Sequence, residues 1–144
     1  MADTFEAQID KFVADTEAKM LAVLKNSIQQ VAKEASKPVK RGGKMPVDTG
    51  FLRKSGAGAL NEIPTGETKG RKRQEGEMGV LPEYKFDESN FLHDILARME
   101  IGDVFYFGWT AEYAEKQELY NGFLKSAVDR WNEIVNAQVR RLKK

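Results

Sequence analysis

The chain contains no cysteine among its 144 residues, which excludes disulfide bonds, thiolate nucleophiles and cysteine metal ligands. Its single histidine is His93, whereas a zinc site without cysteine needs several histidine or carboxylate ligands. Neither glycine-rich signature of a nucleotide-binding loop, GxGxxG or GxxxxGK[ST], occurs in the sequence. We therefore expect no cofactor and no metal ion.

Long apolar runs are also missing. None approaches the roughly 18 residues that a membrane span needs. The N-terminal segment MADTFEAQIDKF lacks the apolar core of a signal peptide. These features predict no membrane partner, and the lack of cysteine fits assembly in a reducing cytoplasm.

The formal net charge is only +1, so charge gives no global argument for binding nucleic acid. The charges are unevenly distributed, however. Residues 33–44 hold five basic residues and one acid, and residues 69–73 and 140–144 hold four basic residues each. Residues 83–103 hold six acids and two basic residues. Segregated charge of this kind can pair copies of a protein, although a solvated surface is the default interpretation.

The first segment predicts a long amphipathic helix, because apolar residues recur mostly at steps of three, four or seven. Asp3 and Glu6 have the spacing of a capping box, and Pro38 should end the helix at Lys37. Such a helix is about 50 Å long at roughly 1.5 Å per residue. We expect part of it to pack on something other than its own sheet. The apolar positions are Phe5, Ile9, Phe12, Met20, Val23, Leu24, Ile28, Val31 and Ala35.

The stretch MPVDTGFLRKSG at 45–56 predicts a short capped helix that enters the core. Asp48 is suited to accept hydrogen bonds from the backbone N–H groups two or three residues on. With Asp48 as the cap, Val47 and Leu52 occupy the two positions of a hydrophobic staple.

Short apolar runs further along the chain predict a small antiparallel sheet. The aromatic and β-branched run at 103–110 is the best strand, with Phe105, Phe107 and Trp109 on the core face and Tyr106 on the other. FLHDILARM at 91–99 fits a strand or a short helix, and we favour a strand because a β meander would otherwise lack partners. Two further candidates are GALNEI at 58–63 and VLPEYKF at 80–86.

Two more segments complete the fold prediction. Residues 66–79 are rich in glycine and charge without apolar periodicity, which predicts a mobile basic loop. Asn121 is suited to cap a second long helix. The sequence therefore predicts one α+β domain over 1–144, with a small antiparallel sheet or partial barrel flanked by long N- and C-terminal helices. The apolar stripe of the second helix is Leu124, Ala127, Val128, Trp131, Ile134, Val135, Val139 and Leu142.

Residues with catalytic potential are few. His93 stands beside Asp94, but no recognisable serine or cysteine nucleophile accompanies it, so a structural histidine is favoured. Glu112, Glu115 and Glu118 recur every three residues. Carboxylates at such spacing can bind a metal or share acid–base work, but nearby Lys116 and aromatic residues favour a surface with one ion pair. We predict that the protein is not an enzyme.

The basic residues of the 66–79 loop have the composition that phosphate contacts need. They lack interleaved aromatic residues for base stacking, so sequence-specific binding is not indicated. A solvated loop is the default interpretation. The residues concerned are Lys69, Arg71, Lys72 and Arg73.

Two stretches taken together resemble a family of phage proteins. The first has the pattern P-V-D-T-G-x-L-R-x-S, and the second has G-W-T-x-x-Y-A-x-x-x-E followed by a tyrosine, a glycine and a C-terminal helix. Their order and separation are similar to those of the HK97 gp10-like neck and tail-component proteins. The matching residues are Pro46, Val47, Asp48, Thr49, Gly50, Leu52, Arg53, Ser55, Gly108, Trp109, Tyr113, Ala114, Glu118, Tyr120 and Gly122.

The resemblance covers roughly residues 1–56 and 102–144, while 57–101 departs from the family in length and composition. It implies a structural virion protein of a tailed phage, a tail-completion, tail-terminator or head–tail joining component. It also implies a homo-oligomeric ring, sixfold or twelvefold, between neck, portal-side or tail-tube proteins. The expected location is the neck and tail of the virion, and the host cytoplasm during assembly.

This interpretation gives the surface charges mechanical roles. The basic segment 33–44 of one copy, which includes Lys40 and Arg41, would meet an acidic segment of the next. That acidic segment would be 83–103, or 112–118 with Glu112 and Glu115. Arg53 and Lys54 would face a neighbour or solvent. The basic loop would line the DNA lumen, with non-specific contact to packaged DNA, or bind an adjacent ring. Two alternatives remain open: a nucleic-acid-binding accessory protein that uses its basic tracts, and a small enzyme that uses His93 or the glutamates.

Overall fold

The computed structural model describes residues 4–46, 51–64, 92–111 and 113–142. These residues form an α+β fold, as predicted, with a two-stranded antiparallel sheet between a long N-terminal helix and a group of C-terminal helices. The elements are α1 (Phe5–Ala35), a 3-10 turn (Val39–Arg41), α2 (Phe51–Lys54), β1 (Gly56–Leu60), α3 (His93–Arg98), β2 (Phe105–Trp109), α4 (Ala114–Asn121), α5 (Phe123–Val128) and α6 (Trp131–Leu142).

Helix α1 has 31 residues and is therefore about 46 Å long. Its N-cap is Thr4, whose side-chain oxygen accepts a hydrogen bond from the N–H of Ala7 at 3.1 Å. The prediction of a capping box from Asp3 is therefore wrong, because the cap lies one residue later and Glu6 is no longer at the third helical position. The helix ends at Ala35, two residues before the predicted limit, with Ser36 as its C-cap.

The two halves of α1 have different surroundings. From Leu21 onwards its apolar side chains pack on the sheet, on α3 and on the C-terminal helices. Before Leu21 every described side chain except that of Thr16 is exposed, including Phe5 at 76%, Phe12 at 71% and Met20 at 60%. Only the second half of α1 therefore belongs to the core that the described residues form.

Strands β1 and β2 pair antiparallel from Gly56 opposite Trp109 to Leu60 opposite Phe105. Phe105 and Phe107 face the core and Tyr106 is exposed, so the predicted alternation of faces is confirmed. Strand β1 lies two residues earlier than its predicted start and ends at Leu60. The next residue, Asn61, has a left-handed backbone with φ of 63°, which cannot continue a strand.

Helix α3 occupies residues for which we predicted a strand. His93–Arg98 is helical, and the buried side chains of Leu92, Leu96 and Met99 are four and three residues apart. That spacing belongs to one face of a helix. These three side chains pack against Ala32 of α1, so the segment covers the sheet-side face of α1 without joining the sheet.

The C-terminal region consists of three helices, so the prediction of a single helix capped by Asn121 is wrong. Asn121 is the last residue of α4. Gly122 follows with a left-handed φ of 61°, and a further break at 129–130 separates α5 from α6. The predicted apolar stripe is only partly buried: Ala127 and Ile134 pack against α1, whereas Val128 is half exposed.

Helix α6 lies alongside α1. Gln138, Arg141 and Leu142 line a groove with Asn26 and Gln29, so α6 ends beside the middle of α1. None of the helices in the described part of the chain is long and apolar enough to span a membrane.

Candidate functional site

The two stretches that carry the family resemblance come together in one buried cluster. Met45 and Leu52 come from the first stretch, Ala111 and Ala114 come from the second, and Phe123 comes from α5. We call these five residues the motif cluster. All five are at least nine-tenths buried, so the predicted core position of Leu52 is confirmed. The half-buried side chains of Trp109, Tyr113 and Leu124 pack against the cluster.

Hydrogen bonds fasten the same two stretches together. The backbone N–H and the side-chain hydroxyl of Thr110 both donate to the carbonyl of Ser55, at 3.0 and 3.1 Å. The buried hydroxyl of Ser55 donates to the carbonyl of Leu52 at 2.7 Å. Because strand pairing begins at the next residue, with Gly56 opposite Trp109, the Ser55–Thr110 contact fixes the register of the sheet.

Trp109 links this cluster to the rest of the core. Its indole meets the ring of Phe107 edge-on at a centroid distance of 4.6 Å and the ring of Phe123 at 4.9 Å. Edge-to-face pairs at such distances contribute roughly 0.5–1.5 kcal/mol beyond the burial of their area. Trp109 also packs against the cluster of α1, α5 and α6 that contains Ala127 and Ile134. Trp109, a residue of β2, therefore contacts both the motif cluster and the cluster of α1, α5 and α6.

Arg53 has a role that the sequence analysis did not anticipate. Its half-buried guanidinium donates from Nε to the carbonyl of Ser36 at 3.0 Å. Ser36 is the C-cap of α1, where unpaired carbonyls carry partial negative charge that a cation complements. The expectation that Arg53 and Lys54 face a neighbour or solvent holds in part: Lys54 is exposed and Arg53 lines an open groove, but the Nε of Arg53 also joins α2 to the end of α1.

The segment before α2 folds back on the end of α1. The N–H of Met45 donates to the carbonyl of Lys37 at 3.2 Å, and the N–H of Val39 donates to the carbonyl of Met45 at 3.1 Å. Gly43 makes this return possible, because a Cβ there would lie 2.0 Å from the carbonyl oxygen of Lys37. The return places Met45 in the motif cluster, with half-buried Pro46 following it.

In the second stretch, Glu118 and Gly122 together form the joint between α4 and α5. The two carboxylate oxygens of Glu118 accept the N–H groups of Leu124 and Lys125, both at 2.9 Å. These are among the first N–H groups of α5, which have no partner within their own helix. The chain reaches this position through Gly122, whose φ of 61° favours glycine. Tyr113, another residue of the second stretch, is the N-cap residue of α4. At Gly108, nothing in the structure explains a requirement for glycine.

Several predicted residues lie outside the described part of the chain. They are Val47, Asp48, Thr49, Gly50, Glu112, Lys69, Arg71, Lys72 and Arg73. The cap at Asp48, the 66–79 loop, the 80–86 strand and the first half of the 83–103 acidic segment are therefore not described.

The predicted inter-subunit residues that are described lie on the surface. Glu115, Lys40 and Arg41 are all exposed. Glu115 lies in the first turn of α4, whereas Lys40 and Arg41 lie in the 3-10 turn after α1. Lys116 forms no ion pair with the described Glu115 or Glu118, and Glu112 lies outside the described residues.

His93 and Asp94 are both exposed. They line an open groove of about 260 Å³ together with β1 residues Gly56 and Gly58 and with Leu92. Within the described ranges, no group of three His, Asp or Glu residues is arranged to hold a metal ion. Among the described residues that line the groove, there is no serine, threonine or cysteine beside His93.

An ion-pair network near the end of α1 was not predicted. Arg130 contacts Glu34 at 2.7 Å and Glu133 at 3.1 Å. The hydrogen bond with Glu133 and the charge of Glu34 raise the pKa of Arg130, and the hydrogen bond with Arg130 lowers the pKa of Glu133. The spacing of Arg130 and Glu133 was visible in the sequence. Glu34 lies 96 positions from Arg130, and no local pattern signals that contact.

Comparison of the chain with protein-family models, curated proteins and solved structures gives no match.

Proposed function

We propose that the protein is a structural component of a tailed phage virion, a ring-forming neck or tail-completion protein that joins the DNA-filled head to the tail. The observation that carries the proposal is the motif cluster. The residues that resemble the HK97 gp10-like family lie far apart in the sequence, yet Leu52 and Ala114 meet in one cluster with Trp109 packed against it. These residues of the two resembling stretches therefore belong to one packed cluster.

The contacts of the motif residues support a role in positioning the helices of the subunit. Leu52 and Ala114 are core residues, Arg53 binds the end of α1, and Glu118 caps α5. Each contact fixes the direction in which a helix leaves the core. A subunit of a ring needs such fixed directions, because ring closure depends on the angle between successive copies.

Exposed apolar side chains provide further support, since large apolar patches on a protein surface mark interaction sites. Phe5 and Phe12 are exposed on α1, and Leu119 at 80% and Tyr120 at 72% are exposed on α4. A ring with sixfold or twelvefold symmetry, between portal-side and tail-tube proteins, would cover surfaces of this kind. The protein would be found in the virion neck or tail, and in the host cytoplasm before assembly.

Disruption of the gene tests this function. We expect infected cells to accumulate DNA-filled heads and separate tails, because the joint between them would be missing. Addition of the purified protein to such an extract should produce joined particles, and infectivity should rise. Joined, infectious particles without the protein would contradict the proposal.

A second candidate, a nucleic-acid-binding accessory protein, is favoured by one groove. Lys33, Lys37 and Arg41 line an open groove of about 310 Å³ at the end of α1, together with Arg53. Clustered cations of this kind suit phosphate groups. Submicromolar binding to duplex DNA that weakens steeply with salt would favour this second function.

A further inference from the structure

The N-terminal half of α1 projects beyond the core. Residues 5–20, which we call the overhang, extend about 24 Å along the helix axis at roughly 1.5 Å per residue. Its apolar stripe is exposed along the whole length and is not covered by any described residue. Contact of so many apolar side chains with water is unfavourable, so the stripe favours contact with a partner surface. The stripe consists of Phe5, Ile9, Phe12, Val13 and Met20.

An acidic edge runs beside this stripe. Glu6, Asp10 and Glu17 are four and seven residues apart, which places them on one side of the helix. None of the three forms an ion pair with a described residue. The overhang therefore presents an apolar row with a negative row alongside it.

The opposite end of the same helix is positively charged and so complements the acidic edge. Residues 33–44, which we call the basic end, hold five basic residues and one acid. The acid, Glu34, is already paired with Arg130. An open groove of about 310 Å³ at this end is lined by Lys37, Lys44 and the paired Glu34 and Arg130, with the largely buried Phe123 and Ala127 also in its lining. A groove with apolar and cationic lining suits an apolar side chain flanked by carboxylates.

The two surfaces cannot meet within one chain. Glu17 and Lys37 are 20 positions apart on or just beyond one continuous helix, a separation of about 30 Å at roughly 1.5 Å per residue. Pairing the overhang with a basic end therefore requires a second copy.

We propose that the overhang of one copy docks on the basic end of the next copy, with its apolar stripe over the groove and its acidic edge against Lys37 and Lys44. This contact is head-to-tail, and it rests on the proposed ring-forming function. Each copy keeps a free overhang at one side and a free basic end at the other, so successive copies close into a ring when their rotation permits.

Pairing of two overhangs with each other is disfavoured by the same charges. In a twofold-symmetric antiparallel helix pair, the same edge of both helices comes together. Glu6, Asp10 and Glu17 of one copy would then face the same three carboxylates of the other, and like charges repel.

Sedimentation of the full chain over a range of concentrations tests the contact with two variants. The overhang variant carries Phe5→Ser and Phe12→Ser, and the basic-end variant carries Lys37→Glu and Lys44→Glu. All four side chains are exposed, so the fold should survive, which circular dichroism checks. The control carries Ile63→Ser and Ile101→Ser, which removes exposed apolar side chains outside the overhang and the basic end.

We expect the wild type and the control to self-associate alike, and each test variant alone to associate roughly tenfold or more weakly. A one-to-one mixture of the two variants should form a dimer and nothing larger, because one copy supplies an intact basic end and the other an intact overhang. This rescue in the mixture is specific to a head-to-tail contact.

Several results would overturn the proposal. These are a wild type that stays monomeric at all concentrations, a basic-end variant that associates like the wild type, and a monomer whose residues 5–20 are already protected from hydrogen exchange by residues 65–91 of the same chain. Loss of duplex DNA binding in the basic-end variant, with self-association intact, would assign the basic end to DNA instead.

None of these results alters the gene-disruption phenotype, because a ring can assemble through another surface. Conversely, normal joined particles after gene disruption would refute the neck function and leave the head-to-tail contact standing.

Discussion

At the scale of single residues, Glu118 illustrates how a motif carboxylate can act in the fold. Its two oxygens accept the N–H groups of Leu124 and Lys125 across the break at Gly122. We predict that Glu118→Ala lowers the free energy of unfolding by about 1–2 kcal/mol, the usual cost of losing a side-chain cap. Urea denaturation measures the change.

Glu115→Ala is the matched control, because Glu115 is an exposed glutamate of the same helix. Its effect should stay within about 0.5 kcal/mol, as is usual for a surface position. Equal losses in the two variants would show that Glu118 does not act as a cap.

Asp103 is the second residue with a testable role. Its carboxylate accepts the N–H of Glu100 at 2.8 Å and the side-chain amide of Asn61 at 3.0 Å. The same amide group of Asn61 accepts the N–H of Val104 at 2.9 Å, so the network closes the end of the sheet. The bond from Glu100, and then the bond from Asn61, lower the pKa of Asp103 below its usual 3.8.

A carboxylate with a lowered pKa in the folded state stabilises the fold above its unfolded pKa, and this contribution is lost as the pH falls through the folded pKa. We therefore predict that Asp103→Asn is less stable than the wild type at neutral pH, and that the difference shrinks once the pH falls below 3.8. Thermal unfolding across the acid range measures this. A difference that stays constant through that range would contradict the assigned bonds.

At the scale of elements, the packing of α2 against the start of α4 is the feature that joins the two motif stretches. Leu52 is 3% exposed within the motif cluster. We predict that Leu52→Ala lowers the free energy of unfolding by roughly 2–5 kcal/mol, because it removes buried methyl groups and leaves a cavity. Leu119→Ala, at a position that is 80% exposed, is the control and should change it by less than about 0.5 kcal/mol. A small effect at Leu52 would mean that the two stretches do not share a core.

The elements also show which parts of the fold the sequence could predict. Helix α1 and strand β2 were predicted because each has an apolar period that only one secondary structure fits. The segment at 91–99 was mispredicted because a short apolar run fits both a strand and a helix, and its contact with Ala32 of α1 decides between them. The break at 129–130 was missed because the apolar stripe continues across it, from Val128 to Trp131.

In the candidate site too, local sequence patterns predict some contacts and not others. The core position of Leu52 was predictable from the local spacing of a hydrophobic staple, and the core faces of Phe105 and Phe107 from strand alternation. The bond from Arg53 to Ser36 and the ion pair between Arg130 and Glu34 were not predictable. Both depend on where distant segments meet, and a single sequence does not carry that information.

At the scale of the whole molecule, α1 dominates the architecture. Its second half is core, its first half is an exposed apolar and acidic surface, and a cationic groove lies at its far end. The motif cluster and the Glu118 joint hold the C-terminal helices in fixed directions against that long helix. A subunit with a packed centre and surfaces of unlike charge at its two ends is the kind that the proposed ring would need.

We propose that this protein is built into the joint between head and tail. The most direct test is electron microscopy of purified virions labelled with antibodies against the chain and gold. We expect gold at the neck or upper tail, at the same position on every labelled particle. Gold on the capsid faces or at the tail tip, with none at the neck, would contradict it.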